Sequence, residues 1–137
     1  MVKAVIMKDN VKEKKNSVIT IDGKEYELIF TMKATMEIEE RYGGFEKFGD
    51  ILQGNAESGK QFREINWALT LLANQSVLIH NYKNPQDRKD LLDEEIVSLF
   101  TNIYSFQEYA EKIARAMSKD MNREVESEDD EKNKRGG

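Results

Sequence analysis

The feature that most constrains this chain is a change of hydrophobic period near Thr31. Before it, the β-branched run Val18–Ile21 is followed by Asp22-Gly23, a dipeptide that supplies the two positive-φ positions of a type I′ turn. The next run alternates, with one apolar face formed by Tyr26, Leu28 and Phe30. From Met32 the apolar residues recur at helical spacing. The sequence therefore predicts an α+β fold in which an N-terminal antiparallel hairpin packs on helices.

About four helices are predicted after the hairpin. The first runs from Met32 to Gly43-Gly44, the second from Phe45 to Leu52, and the third from about Lys60 to Asn81. The fourth is capped by Asp93 and reaches about Met121, either as one helix or as two joined near Ser105. Residues 86–92 before it are predicted to be a polar connector. The predicted core comprises Tyr26, Leu28, Phe30, Ile38, Leu69, Leu72, Ile103 and Ile113.

The distribution of charge divides the chain into three parts. Residues 1–16 form a basic arm with five lysines against two acidic residues, and Val2 to Ile6 within it has the character of a short strand. Residues 17–121 are predicted to be a single globular domain. Residues 122–137 carry six acidic and four basic residues without apolar periodicity, which predicts a disordered charged tail.

Composition excludes several classes of functional site. The chain has no cysteine and one histidine, so neither disulfides nor cysteine-ligated or multi-histidine metal sites can form. No apolar run approaches the ~20 residues of a membrane span, and residues 1–17 lack a signal-peptide core. The 26 acidic residues outnumber the 21 basic ones, whereas phosphate binding needs a basic face. We therefore expect a cytoplasmic protein with no membrane or nucleic-acid partner.

Three motifs resemble catalytic or binding sites but have simpler interpretations. Gly54 to Lys60 matches the G-x4-G-K start of a phosphate-binding loop, yet helical spacing precedes it and Gln61 replaces the magnesium-binding hydroxyl. His80 lies near a helix C-terminus, where an imidazolium is favourable. The carboxylates of the first helix lie among basic residues, as on a solvated face. The sequence thus predicts no catalytic residue, metal site or cofactor, and favours an interaction protein over an enzyme.

The candidate partner-binding residues are apolar or aromatic side chains outside the main helical stripes. Met32 and Met36 lie one helical turn apart, and methionine side chains adapt to varied partners. Trp67 and Tyr104 are the aromatic candidates, because aromatic residues anchor protein interfaces. A secondary core contact is the simpler role for each residue alone. Together they indicate an oligomer interface or a partner surface.

The run from Ile21-Asp22-Gly23 through Arg41-Tyr42-Gly43 resembles the opening of the tail assembly chaperones of phages with long, non-contractile tails and of their prophages. The later order is similar, with a central helix, an acidic helix entry at residues 92–96 and an acidic tail. The resemblance implies a non-enzymatic, oligomeric protein of the host cytoplasm that binds the long helical tape-measure protein and keeps it soluble. It also implies displacement by the tail-tube protein, a second candidate partner, and absence from the mature virion.

The resemblance further implies a longer second product made by programmed ribosomal frameshifting. Glu131-Lys132-Asn133 can be encoded as GAA-AAA-AAC, which contains a slippery heptamer. The main alternative is a structural tail-completion or head–tail connector protein that stays in the virion. Two further classes stay open: a small enzyme or nucleotide-binding protein that uses Lys60 and His80, and a DNA-binding regulator that uses the basic arm.

Overall fold

The computed structural model describes residues 17–54 and 58–118, which form one hairpin and five helices. The α+β prediction is confirmed for these residues. The basic arm, residues 119–121 of the predicted domain and the charged tail lie outside the described residues. In chain order the elements are β1 (Val18–Ile21), β2 (Lys24–Glu27), α1 (Met32–Tyr42), α2 (Phe45–Leu52), α3 (Ser58–Lys83), α4 (Glu94–Leu99) and α5 (103–118).

The hairpin has the predicted turn. Asp22 and Gly23 have φ angles of 52° and 73°, the left-handed values that a type I′ turn requires at both positions. The turn aligns β1 antiparallel to β2, with Ile19 opposite Tyr26. Directly opposite residues share a face of the sheet, so this pair lies on the inner face with Ile21. Ile19 and Ile21 are fully buried, and this face packs on the helices.

The ends of α1 are set by residues that the sequence already indicates. The Thr31 hydroxyl accepts a hydrogen bond from the Ala34 N–H at 3.0 Å and caps the first turn. Gly43 has a φ of 75° and donates its N–H to the Glu39 carbonyl at 2.7 Å, so the helix ends on a left-handed glycine. Between these caps, α1 buries Ala34 and Ile38 against the core.

The core surrounds α3, the longest helix of the described residues. Predicted core residues Leu28, Ile38, Leu69, Leu72 and Ile113 are confirmed as buried, whereas Tyr26 and Phe30 are partly buried at the edge of the core. The prediction for Ile103 is wrong, because its side chain is 55% exposed. The buried apolar residues that form the centre are Ile19, Ile21, Leu28, Ala34, Ile38, Phe48, Ile65, Ala68, Leu69, Leu72, Ala73, Val97 and Ile113.

The fourth predicted helix is divided in two by residues 100–102. The Asn102 side chain accepts hydrogen bonds from the N–H groups of Tyr104 and Ser105, each at 3.0 Å. The Ser105 hydroxyl in turn accepts the Asn102 N–H at 3.0 Å, which completes a reciprocal capping box. This cap restarts the chain as α5 and places Ile103 in an exposed first turn, which explains why the core prediction fails there.

The predicted polar connector before α4 is held to α3 by asparagine side chains. The Asn74 amide accepts the Leu92 N–H at 2.7 Å and donates to the Leu92 carbonyl at 2.8 Å. Asn81 does the same for Lys89, at 2.7 and 2.9 Å. Asn66 donates to the backbone of α4 at 2.9 Å. Spacings of eight and seven residues place the three amides on one face of α3. These amides hold the connector in place although it has no regular secondary structure.

The outer edge of β1 is covered by α5. The Tyr109 hydroxyl donates to the Thr20 carbonyl at 3.0 Å and lies 3.4 Å from the Thr20 N–H, which donates to it. The Lys112 ammonium donates to the Val18 carbonyl at 2.8 Å. These bonds join the first and last described elements and satisfy backbone groups that β2 does not reach.

Candidate functional site

Exposed apolar side chains are concentrated where α4 passes into α5. Of the ten large apolar residues exposed among residues 17–54 and 58–118, four lie between positions 99 and 104. Tyr104 is 82% exposed and Leu99 is 71% exposed. Phe62 of α3, also exposed, lines a groove together with Ile103. We define the junction surface as Phe62, Leu99, Phe100, Ile103 and Tyr104.

A groove of about 300 Å³ forms the concave part of this surface. Its apolar lining comes from Phe62, Ile103 and Phe106, and the Phe62 and Phe106 rings meet edge to face with centroids 5.0 Å apart. Polar residues complete its lining, among them Arg63, Asn66, Ser98 and Asn102. An apolar centre with a polar border is the usual composition of a protein-binding surface.

The short length of α4 explains why these side chains stay in solvent. A six-residue helix has room for one buried position, which is Val97, so Leu99 and Phe100 project beyond the core. The following cap then starts α5 with Ile103 and Tyr104 in the first turn, before the core-facing positions farther along the helix. The sequence predicts Tyr104 in this set but does not single out Leu99, Phe100 or Phe62. The Asn102-x-x-Ser105 capping pattern is the local signal that marks the break.

The predicted methionine pair forms a second, separate apolar patch. Met32 and Met36 are 72% and 60% exposed on α1. The ion pair of Arg41 with Glu64 places α1 along one side of α3, whereas Asn66 binds α4. Positions two apart on a helix do not share a face. The methionine pair and the junction surface therefore lie on different sides of α3.

Trp67, the other predicted anchor, is partly buried between α1 and α3. The Arg41 guanidinium carbon lies 4.3 Å from the centre of its ring, and the Tyr42 ring meets it edge to face at 5.8 Å. Arg41 also donates two hydrogen bonds to Glu64, at 3.1 and 2.8 Å, rather than pairing with the carboxylates of its own helix. Trp67 therefore serves as an internal contact between two helices.

The electrostatics of this cluster follow from the same contacts. The hydrogen bonds from Arg41 hold the pKa of the Glu64 carboxyl below its usual range, because they favour the charged form. Burial raises the pKa of Tyr42 to about 12. The Tyr42 hydroxyl is buried and forms no well-aligned hydrogen bond with a described residue, although Arg41 and Glu64 lie close enough to influence its pKa. The cluster thus stabilises the packing of α1 on α3.

The fold does not bring the remaining candidate motifs together into one site. The G-x4-G-K motif follows helix α2 instead of the buried strand of a phosphate-binding loop, and residues 55–57 within it lie outside the described residues. His80 lies in the last turn of α3, as predicted, with Nε2 2.7 Å from the Asp87 carbonyl oxygen. Within the described ranges, no group of three or more potential metal-binding side chains occurs. None of the helices described there has the length and apolarity to cross a membrane.

No family model, no curated protein and no solved structure matches the chain.

Proposed function

We propose that this protein is a tail assembly chaperone of a long-tailed phage or prophage, which binds the tape-measure protein and keeps it soluble during tail assembly. The observation that carries the proposal is the junction surface. Four exposed apolar residues within six positions, beside an apolar groove, form contact area that the fold itself leaves in solvent. The resemblance of residues 21–43 to these chaperones supports the same function.

The shape of the junction surface suits an amphipathic helix. Phe62 and Ile103 line the groove, and the exposed residues Leu99 and Tyr104 directly follow the groove-lining residues Ser98 and Ile103 in sequence. Apolar side chains that recur every three or four residues on a partner helix enter such a groove in succession. Each contact is small, so one copy binds weakly, while many copies along a long helical partner give avidity and each stays displaceable. The net charge of −5 keeps such an assembly soluble.

The direct test is co-expression with a candidate tape-measure protein, followed by measurement of the soluble fraction of that protein. The informative variant is Leu99→Gln with Tyr104→Gln, which removes apolar area but no buried contact. The matched control is Tyr82→Gln, because Tyr82 is 89% exposed at the far end of α3. A third variant, Met32→Gln with Met36→Gln, tests the second apolar patch.

We expect the unaltered protein and Tyr82→Gln to keep the partner soluble, and the junction variant to lose most of this effect. An insoluble tape-measure protein in every case contradicts the chaperone function. Loss only in the methionine variant moves the binding surface to α1. Mass spectrometry of purified particles provides a second test, since a chaperone is absent from the virion and a connector or tail-completion protein is present.

A further inference from the structure

The methionine pair occupies the outward face of α1. Ala34 and Ile38, both fully buried, mark the side of this helix that packs on the core. Met32 and Met36 lie on the opposite side, because a helix turns by about 100° per residue. Both side chains are exposed, so no described element covers them. This face therefore offers apolar contact area that the fold of one molecule does not use.

One positive and one negative side chain flank the methionines on the same side of the helix. Lys33 and Glu40 are seven residues apart, close to two helical turns, so they share a flank of α1. Their separation exceeds the three or four residues at which side chains pair along a helix. Both are exposed, and neither side chain has an ion pair or hydrogen bond with a described residue. The two charges are therefore available to a neighbouring molecule.

We propose that two copies of this chain associate through α1, with the two helices antiparallel and related by a two-fold axis beside Met36. Position 36 lies almost midway between Lys33 and Glu40, so this axis sets each lysine beside the glutamate of the other copy. Met36 then packs against Met36 of the second copy, and Met32 lies towards either end of the contact. The interface has an apolar centre with two ion pairs along one side.

The distribution of charge favours a second copy in this orientation. Parallel helices would set lysine beside lysine and glutamate beside glutamate, and like charges side by side are unfavourable. In the antiparallel pair, Glu39 on the other flank comes beside the uncharged Thr35 of the second copy. A two-fold interface joins one surface to itself, so it requires opposite charges placed symmetrically about its centre. Lys33 and Glu40 meet this requirement, which is why the occupant is a second copy and not an unrelated protein.

The size of this contact indicates a reversible dimer. The 11 residues of α1 form a helix about 16 Å long, so a contact through it alone buries less than the about 1,200 Å² of a standard stable interface. The fraction of dimer is therefore expected to rise with protein concentration in the accessible range. The junction surface lies on another side of α3, so both copies keep it exposed.

The first test is analytical ultracentrifugation of the full chain and of charge variants. Lys33→Glu sets glutamate beside glutamate twice in the symmetric dimer, and we expect the dissociation constant to rise at least about tenfold. The combined exchange Lys33→Glu with Glu40→Lys rebuilds both pairs and is expected to return it to within about threefold of the unaltered chain. Lys83→Glu makes the same change of net charge on α3 and is the control, which is expected to leave the dissociation constant unchanged.

Two outcomes of this assay overturn the proposal. One is an unaltered chain that stays monomeric up to about a millimolar, because no useful association then exists. The other is a combined exchange that fails to recover the dimer lost in Lys33→Glu, because the antiparallel pairing then does not occur.

The second test is chemical crosslinking, which locates the axis. The chain has no cysteine of its own, so Met36→Cys carries a single thiol that lies beside its equivalent in the dimer. We expect a short bismaleimide to join copies of Met36→Cys at least about tenfold faster than copies of Tyr82→Cys, because dimerisation raises the effective concentration of only the first thiol. Tyr82 is exposed on α3, so its thiol is no less accessible. Equal rates for the two variants overturn the proposal. These measurements need no partner, so their outcome is separate from that of the chaperone assay.

Discussion

Replacement of Asn81 by alanine tests whether side-chain amides, rather than local backbone structure, hold the connector in place. Asn81 is 7% exposed and makes two hydrogen bonds with the backbone of Lys89. Each such bond contributes about 1 kcal/mol, and alanine also leaves the N–H and carbonyl of Lys89 without these partly buried bonds. We therefore expect Asn81→Ala to lower the free energy of unfolding by about 2–3 kcal/mol.

The assay is urea unfolding followed by circular dichroism. For a domain of this size the slope is on the order of 1 kcal/mol per molar urea, so the midpoint is expected to fall by about 2–3 M. Trypsin provides a local readout, because Arg88 and Lys89 are cleavage sites within the held segment. We expect cleavage there to accelerate in Asn81→Ala, since a protease needs the backbone detached.

Two control variants separate this mechanism from a general loss of packing. Asn66→Ala removes one hydrogen bond to the backbone and is expected to cost about 1 kcal/mol or less. Asn81→Asp keeps the acceptor for the Lys89 N–H but sets a carboxylate against the Lys89 carbonyl, so it is expected to destabilise as much as alanine. A change below about 0.5 kcal/mol for Asn81→Ala, or an equal loss for Asn66→Ala, refutes the reasoning.

Three further substitutions test the helix contacts. Glu64→Gln is expected to cost less than about 1 kcal/mol at neutral pH. The folded-state pKa of Glu64 lies below the ordinary value of 4.5. The contribution of its carboxylate to the free energy of unfolding is therefore complete above pH 4.5 and is lost as the pH falls through the folded-state pKa. This pH-dependent contribution should be absent from the acid unfolding curve of Glu64→Gln. Tyr42→Phe is expected to change the free energy of unfolding by less than about 1 kcal/mol, because the buried hydroxyl forms no well-aligned hydrogen bond with a described residue; a loss above that value in urea unfolding contradicts this expectation. Asn102→Ala is expected to cost about 1 kcal/mol by the same assay, and an unchanged midpoint would show that the capping box does not set the start of α5.

Local chemistry accounts for the parts of the fold that the sequence predicts well. Asp22-Gly23 specifies the hairpin turn, Gly43 ends α1, and Asp93 caps α4 through a hydrogen bond to the Ile96 N–H at 2.7 Å. Each signal acts over a few residues, so it is readable without the rest of the molecule. The predictions of these boundaries are confirmed for that reason.

The features that the sequence does not predict depend on partners that lie far away along the chain. In sequence, Asn74 and Asn81 have the pattern of polar positions on an amphipathic helix. No neighbouring residue in the sequence shows that their side chains bind the backbone 8 to 18 residues away. The contact of Trp67 with Arg41 comes from another helix, so the sequence around Trp67 does not show it. Ile103 continues an apolar stripe in sequence, although the cap at residues 100–102 interrupts it in space.

The bonds from Tyr109 and Lys112 to β1 have a consequence for biosynthesis. The hairpin ends at Glu27, but the side chains that cover its first strand are added about 80 residues later. Until then, the nascent chain exposes unpaired backbone N–H and C=O groups at the edges of the two-stranded hairpin. The edge of β1 is therefore covered only after α5 has been synthesised. A chain that stops before residue 109 leaves this edge free to pair with strands of other molecules.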